Sequence, residues 1–577
     1  MYMKGPKMTT VLNQQQRDQA LATMAAETFD VLVIGGGVTG AGIALDAASR
    51  GLRTAIVEWQ DWAAGTSSRS SRLVHGGLRY LYNLDFKLVA EALQERGLLL
   101  TTIAPHLVEA QPFLWPLRQR VIERAYSALG IGLYDALAIA GAGLHRTVPI
   151  QKHLTKQGAK RRFPDLKSSS LVGAIEFYDA RVDDARLVVT LVRTAVRYGA
   201  QAASRVEVTE ITKDAQGHAS GVLATDLQTG EQLTIRANRI INATGVWTEQ
   251  TQDLAGGSGG LKVLASKGIH LLVPRDRIRA SAGIFVRTEK SVLFIIPWQR
   301  YWIIGTTDTA WHEQLRHPVP TSADIDYVLS HANQVLERPL TRDDIMGSYA
   351  GLRPLLQPSV LDEKKSTKVS REHTVTEVIP GMVAIAGGKL TTYRVMAADA
   401  VDFALGKPQA EQRPSITAKL PLLGADGLSA TRNQADRLAT KYGYSADRLA
   451  HLISRYGGEL DEFLATIDAD PTLGAHLGAA PDFLRAEVHW ACTVEGALHL
   501  EDILTTRVRL SSEARDRGGA AVDEVAEVAA AALGWDAERT AREKANYRER
   551  IAAELAAENE PTDAGASRAR MQAANIV

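Results

Sequence analysis

Residues 31 to 58 read VLVIGGGVTGAGIALDAASRGLRTAIVE, and this stretch decides the fold. A short apolar run, Val31 to Ile34, enters the glycines Gly35, Gly36, Gly37 and Gly40. An Ala-rich helical segment follows, Gly51 ends it, and a second apolar run from Thr54 to Val57 closes on Glu58. The pattern is a dinucleotide-binding βαβ unit. Gly35 permits the tight turn, Gly37 lets the backbone approach a pyrophosphate, and Gly40 allows helix and strand to pack closely. The helix N-terminus offers unpaired N–H groups and the positive end of its dipole to the phosphates. Glu58 is placed to accept the ribose hydroxyls, which disfavours a 2′-phosphate and hence NADP. A strand before, a helix after and an acid at the right distance complete the fingerprint, which NAD and FAD share.

The residues that follow separate the two cofactors. In DWAAGTSSRSSRLVHGGLRYL the hydroxyls of Thr66, Ser67, Ser68, Ser70 and Ser71 suit the pyrophosphate and ribityl chain of a flavin, with a plain surface loop as the alternative. Further on, RIINATG reads as a buried strand that ends in Ala243, Thr244 and Gly245, where a second pass of the sheet meets the cofactor. In MVAIAGGKLTTYRVMAADA, Gly387, Gly388 and the amides of Lys389, Leu390 and Thr391 form a second anion-receiving helix end. Two such ends fit a ligand that carries both a pyrophosphate and a reducible ring that becomes anionic. FAD is that ligand.

With these blocks in place, the chain resembles the FAD-dependent glycerol-3-phosphate dehydrogenase family. Ile34 to Gly51 is similar to its first signature and Gly387 to Ala397 to its second; SSRLVHGGLRYL, FYDARVDDARLV, INATGVW, FIIPW, IIGTTD and YAGLRPL are also family-like. The match is close over residues 29 to 400 and looser beyond. The resemblance implies oxidation of sn-glycerol 3-phosphate to dihydroxyacetone phosphate by hydride transfer to flavin N5, with electrons delivered to a quinone. It also implies substrate contact by Arg79, Tyr80 and Arg353. The alternatives are an oxidase that passes electrons to oxygen and a non-catalytic FAD-binding protein.

Oxidising a phosphorylated secondary alcohol needs a base, a positive field for the alkoxide and an anchor for a dianion. Arginine is the best anchor, because its fork meets phosphate oxygens bidentately and stays charged. Arg79 lies in HGGLRY, and Arg353 in YAGLRPL, where Pro354 stiffens the chain; a surface ion pair is the plain reading of either. His75 is the first candidate base, with orienting the loop or attaching the flavin covalently as its other readings. His270, in GIHLLVP, is a rival base or else a satisfied sheet histidine. Lys389 faces the flavin and stabilises charge on the reduced ring or the substrate oxygen. Thr391 and Thr392 read as helix caps, Asp183 and Asp184 as an N-cap pair. Arg507 and Arg509, with Glu501 and Asp502, read either as docking groups for the helical domain or as a solvated face.

At 577 residues and 45% apolar content the chain supports two or three domains. Its 66 basic and 66 acidic residues balance, which argues against a nucleic-acid partner. A single cysteine, Cys492, excludes an intrachain disulfide and fits a reducing compartment. MYMKGPKMTT does not read as a signal peptide, so the expected location is cytoplasmic. Tyr126 to Gly143, behind Arg118, Arg120 and Arg124, reads as a core helix or as a segment resting on the inner face of the cell membrane. A homo-oligomer is compatible with all of this.

The expected fold class is α/β: a Rossmann-like FAD-binding domain, an inserted antiparallel-sheet substrate domain and a helical C-terminal domain. Residues 1–28 form a leader. The FAD domain takes 29–104, 176–261 and 346–405, with later strands near 202–208, 219–225, 239–243 and 382–386. The substrate domain takes 105–175 and 262–345, and the helical domain 415–557. Residues 558–577 are expected to be disordered.

Overall fold

The computed structural model describes residues 10–77, 86–117, 148–169, 171–256, 260–287, 292–357, 366–370 and 373–574. Seven strands build the nucleotide-binding sheet in the spatial order Ser366–Ser370, His373–Ile379, Met382–Gly387, Ile240–Asn242, Val31–Ile34, Thr54–Glu58, Gln201–Ser204. The last five run parallel and the first two antiparallel. The parallel strands are apolar on both faces because both are covered. Val31, Val33 and Ile56 pack under the helices Val38–Ser49, Asp184–Arg197 and Tyr393–Leu405. The alternate residues Leu32, Ile34, Ala55 and Val57 face a separate four-stranded sheet made of Thr28–Phe29, Gln232–Ala237, Ala219–Asp226 and Val206–Lys213.

This arrangement corrects two strand expectations. Residues 202–208 are two strands in two sheets, parted at Arg205, whose backbone is left-handed (φ +58°). Residues 219–226 belong to the smaller sheet.

The second large sheet has ten strands, mostly antiparallel. Val292–Trp298 and Tyr301–Gly305 form the expected hairpin, turning at Gln299 (φ +38°). The exception to antiparallel pairing is Gly283–Arg287, which lies parallel to Val108–Leu117. Three strands expected in the FAD domain lie in this sheet instead: Leu73–Val74, Gly173–Val182 and Gly347–Leu356. The chain leaving the first βαβ unit reaches the second sheet at Leu73–Val74, which pairs with Ala180 and Arg181.

The helical domain has its own core, which includes Leu452, Phe463, Trp490, Leu500, Val522 and Tyr547. It docks through buried ion pairs. Arg507 grips Asp61 with both terminal nitrogens at 2.7 and 2.9 Å, Arg186 grips Glu495 at 2.6 and 3.2 Å, and Arg205 meets Asp502 at 2.6 Å. Arg507 is thus a docking group, as is Arg509, which pairs with Asp183 and Asp184, and both are buried.

The leader contains a helix, and the tail is ordered through residue 574 where disorder was expected. Gln14–Ala26 is a helix capped by Asn13, and its Arg17 pairs with Asp226. At the other end, Asp563–Arg570 is a helix capped by Thr562. The expected disorder fails there because its charges have buried partners: Asp563 pairs with Lys267, and Arg570 reaches Glu554, while Ala566 packs beside Val319 and Ala557.

Candidate active site

A cavity of about 370 Å³ opens across the carboxyl ends of the parallel strands. Val31–Ile34 stands between Thr54–Glu58 on one side and Ile240–Asn242 on the other. This is the point where strand order reverses, the usual place for a ligand in such a sheet.

The glycine turn is explained by clashes. At Gly35 the backbone is left-handed (φ +112°), and a Cβ would sit 2.7 Å from the Ala243 carbonyl oxygen. At Gly40 a Cβ would lie 1.8 Å from the Gly35 oxygen, so helix and strand could not approach. Gly36 donates its N–H to Glu58 Oε2 at 2.6 Å, and Gln60 donates to Glu58 Oε1 at 2.7 Å. Glu58 therefore fixes the turn as well as lining the cavity. Burial pushes its carboxyl up to about 7, against the two amide donors, which pull it down.

Of the residues expected at the cofactor, Gly35, Gly37, Glu58, Thr66, Ser67, Ala243, Thr244, Gly245, Gly388, Lys389 and Leu390 line this cavity. Gly36 and Gly40 lie behind the wall they shape. Ser68, Ser70 and Ser71 do not line it: Ser68 Oγ donates to the Gly65 carbonyl at 3.5 Å, Ser70 Oγ donates to Asp184 at 2.6 Å, and Ser71 Oγ is 2.8 Å from His270 Nε2. In an irregular loop adjacent hydroxyls cannot all face one side. Thr391 is buried and bonds the His75 backbone, and no side-chain cap is made by Thr392 at the helix it precedes. Asp183 does cap its helix, by accepting from Arg186 N at 3.2 Å.

The cavity also takes residues that sequence patterns did not single out. Trp59, Trp247 and Arg316 line it, with the Arg316 guanidinium carbon 3.8 Å from the centroid of the Trp59 ring. Val206, Glu207 and Val208 contribute where the chain leaves the sheet edge. The tryptophan pair Trp59–Trp247 makes an edge contact at 5.6 Å, and only the fold brings those positions together.

Arg353 is held on the second sheet. Its guanidinium donates to Thr306 Oγ1 at 3.0 Å and to the Thr307 carbonyl at 3.1 Å, and pairs with Asp308 at 3.2 Å. It lies over Gly268, where a Cβ would come within 2.6 Å of it. The adjacent Pro354 lines the cavity. His270 stacks on Tyr349 at 4.9 Å and is pushed down to about 3 by burial, with Arg353 and Arg72 adding to the effect. Its imidazole is therefore neutral throughout the physiological range. His75 is half-buried and Lys389 lines the cavity. Arg79, Tyr80 and the segment 126–143 lie outside the described residues.

The cavity fits a dinucleotide on three counts. Gly37 heads the helix Val38–Ser49 and has no side chain to cap it; Ser67 Oγ takes the Val38 amide, and Gly37, Val38 and Thr39 line the cavity at that helix end. Gly245 is left-handed (φ +61°), and a Cβ there would meet only open space. Gly387 and Gly388 (φ +82° and +78°) present the backbone at the far end. Among the described residues no His, Cys, Asp and Glu group could hold a metal ion.

A family model described as FAD dependent oxidoreductase matches residues 30–394, and one described as the C-terminal domain of alpha-glycerophosphate oxidase matches residues 415–540. A glycerol-3-phosphate dehydrogenase of Mycobacterium leprae (strain TN) is 50% identical over 564 residues, covering 98% of this chain and 95% of its own. The mitochondrial glycerol-3-phosphate dehydrogenase of Homo sapiens is 35% identical over 538 residues, covering 90% of this chain and 72% of its own. The crystal structure of the glycerol-3-phosphate dehydrogenase from Bacillus halodurans complexed with FAD matches with a TM-score of 0.75 at 28% identity, over 94% of this chain and 98% of that one. The chain belongs to the family of FAD-dependent glycerol-3-phosphate dehydrogenases.

Proposed function

We propose that this protein oxidises sn-glycerol 3-phosphate to dihydroxyacetone phosphate and delivers the two electrons to a quinone. The observation that carries the reading is that Gly35 and Gly37 of the glycine turn and the helix end at Gly387–Leu390 line one cavity, and Arg353, held on the second sheet next to the cavity-lining Pro354, supports it. FAD, when bound, supplies the hydride acceptor for the C2 carbon–hydrogen bond.

The chain's own groups do the rest. Arg353, pre-oriented by Thr306, Thr307 and Asp308, anchors the phosphate dianion, with Arg79 and Tyr80 as its partners in the clamp. His75 takes the hydroxyl proton. His270, kept neutral, orients the loop through Ser71 rather than adding a charge. Lys389 steadies the negative charge that develops at the cavity end.

Electron delivery to a quinone calls for contact with the inner face of the cell membrane. Among the described residues no helix is long and apolar enough to cross one, so the proposed contact is peripheral. Assembly into a homo-oligomer is part of the same proposal and is tested by solution mass.

The test is anaerobic titration of the yellow protein with glycerol 3-phosphate. Bleaching of the flavin band is expected, and reoxidation by a quinone analogue should outpace reoxidation by air. An unbleached flavin overturns the reading; stoichiometric peroxide under air with no quinone reduction would make the enzyme an oxidase.

A further inference from the structure

The loop Thr66–Ser71 has two sides. Thr66 and Ser67 line the cofactor cavity, and Ser67 Oγ accepts from the Val38 amide at 2.9 Å, at the helix end that faces the ligand. The other side is gripped from below. Arg509, from the helical domain, donates to the Ser68 carbonyl at 2.8 Å and to Asp183 at 2.6 Å, and it also pairs with Asp184. Asp184 in turn accepts from both the amide (3.0 Å) and the hydroxyl (2.6 Å) of Ser70. All of these links are buried or half-buried, and Arg509 itself is 3% exposed.

Arg509 also holds a left-handed backbone, φ +60°, which side-chain-bearing residues rarely adopt. Glycine or asparagine would satisfy that backbone at lower cost. An arginine there signals that its fork is what the position needs, because one planar guanidinium reaches a carbonyl and two carboxylates at once.

We propose that Arg509 is a positioning residue for the flavin: through Asp184 and Ser70 the helical domain sets the loop that walls the cofactor cavity, and FAD retention depends on that grip. The proposal rests on the cavity's holding FAD. It makes the C-terminal domain part of the cofactor site without any of its residues touching the cofactor.

The test uses the full-length protein, freed of flavin and retitrated with FAD while flavin fluorescence is followed. The thermal midpoint of the flavin-free form is measured in parallel. Ser70→Ala leaves the Arg509–Asp184 pair and the domain interface intact, and is expected to weaken FAD binding at least fivefold with little change in thermal midpoint. Arg509→Lys is expected to weaken it at least as much, and the double variant no more than the worse single one, since both act through one relay. An unchanged FAD affinity in Ser70→Ala, or losses that multiply in the double variant, overturns the proposal. Should Arg509→Lys fail to fold, Ser70→Ala paired with Asp184→Asn decides on the same criteria. Wild-type protein that takes up no FAD would instead sink the cofactor reading itself.

Discussion

The Thr391 hydroxyl accepts the His75 amide proton and donates to the His75 carbonyl oxygen, both at 3.1 Å, across 316 residues of sequence. One side chain thus ties the HGG loop to the GGK helix end and sets the distance between the candidate base and the cofactor cavity. Thr391→Val keeps the shape and removes both bonds. Each hydrogen bond lost contributes about 0.5–1.5 kcal/mol to stability. A fall in thermal midpoint is expected together with roughly a tenfold loss of kcat, read by thermal melting and steady-state kinetics, while FAD content stays near stoichiometric.

Arg353→Ala tests the proposed phosphate clamp, in which a charge-assisted contact is worth about 1.5–3 kcal/mol. The expected result is a rise in KM for glycerol 3-phosphate of roughly 10- to 100-fold, by the rule that about 1.4 kcal/mol is tenfold. Arg353→Lys should recover only part of this, because an ammonium cannot match Thr306, Thr307 and a phosphate together. An unchanged KM in Arg353→Ala removes it from the clamp.

The two helix-end glycines should behave differently. Gly40→Ala drives a Cβ into the Gly35 carbonyl, whereas Gly37→Ala meets only the Ser67 hydroxyl, at 3.1 Å. Gly40→Ala is expected to yield no soluble yellow protein, and Gly37→Ala to yield folded protein with depleted flavin. The ratio of visible to ultraviolet absorbance distinguishes them.

Acid should destabilise the flavin-free protein well above the carboxylate range. Burial holds His106 and His270 down to about 3 and His317 to about 4. Unfolded imidazoles titrate near 6.5, so below that pH the unfolded chain binds protons the folded one refuses, and stability falls as pH drops. Glu58 acts oppositely: its folded carboxyl takes a proton near 7, its unfolded one near 4.5, so it stabilises as pH falls through that interval. Each of these three imidazoles that gains its proton on unfolding contributes about 1.4 kcal/mol per pH unit over roughly pH 6.5 to 4.5, and Glu58 offsets one of them. His270→Gln should cut that slope by one proton in denaturant titrations; an unaltered slope means the imidazole is charged in the folded state.

The legible parts of this chain were those governed by local rules. Gly40 is required by a near neighbour, the Gly35 carbonyl, and the spacing of Gly35, Gly37, Gly40 and Glu58 declares the turn in sequence even though Gly35 itself is constrained by the distant Ala243; the Gly387–Gly388 pair declares the other end of the site. What escaped depends on distant partners. Ser70 and Ser71 look like cofactor hydroxyls until Asp184 and His270 are found beside them. Arg316 and Trp59 meet only through the fold. The tail looked disordered because composition cannot reveal that the half-buried Asp563 and the buried Arg570 are paired with Lys267 and Glu554. Arg205 hides a break between two sheets in what reads as one strand.

The neighbour that Val31–Ile34 needs on one flank, Ile240–Asn242, is itself paired on its far side with Met382–Gly387. A ribosome adding about 5–20 residues per second must therefore reach residue 242 before the opening strand has both neighbours, and residue 387, about two-thirds of the polypeptide, before the flanking strand is covered in turn. Nascent chains stalled short of residue 387 should expose the first apolar strands, making this enzyme a strong client of holding chaperones during synthesis.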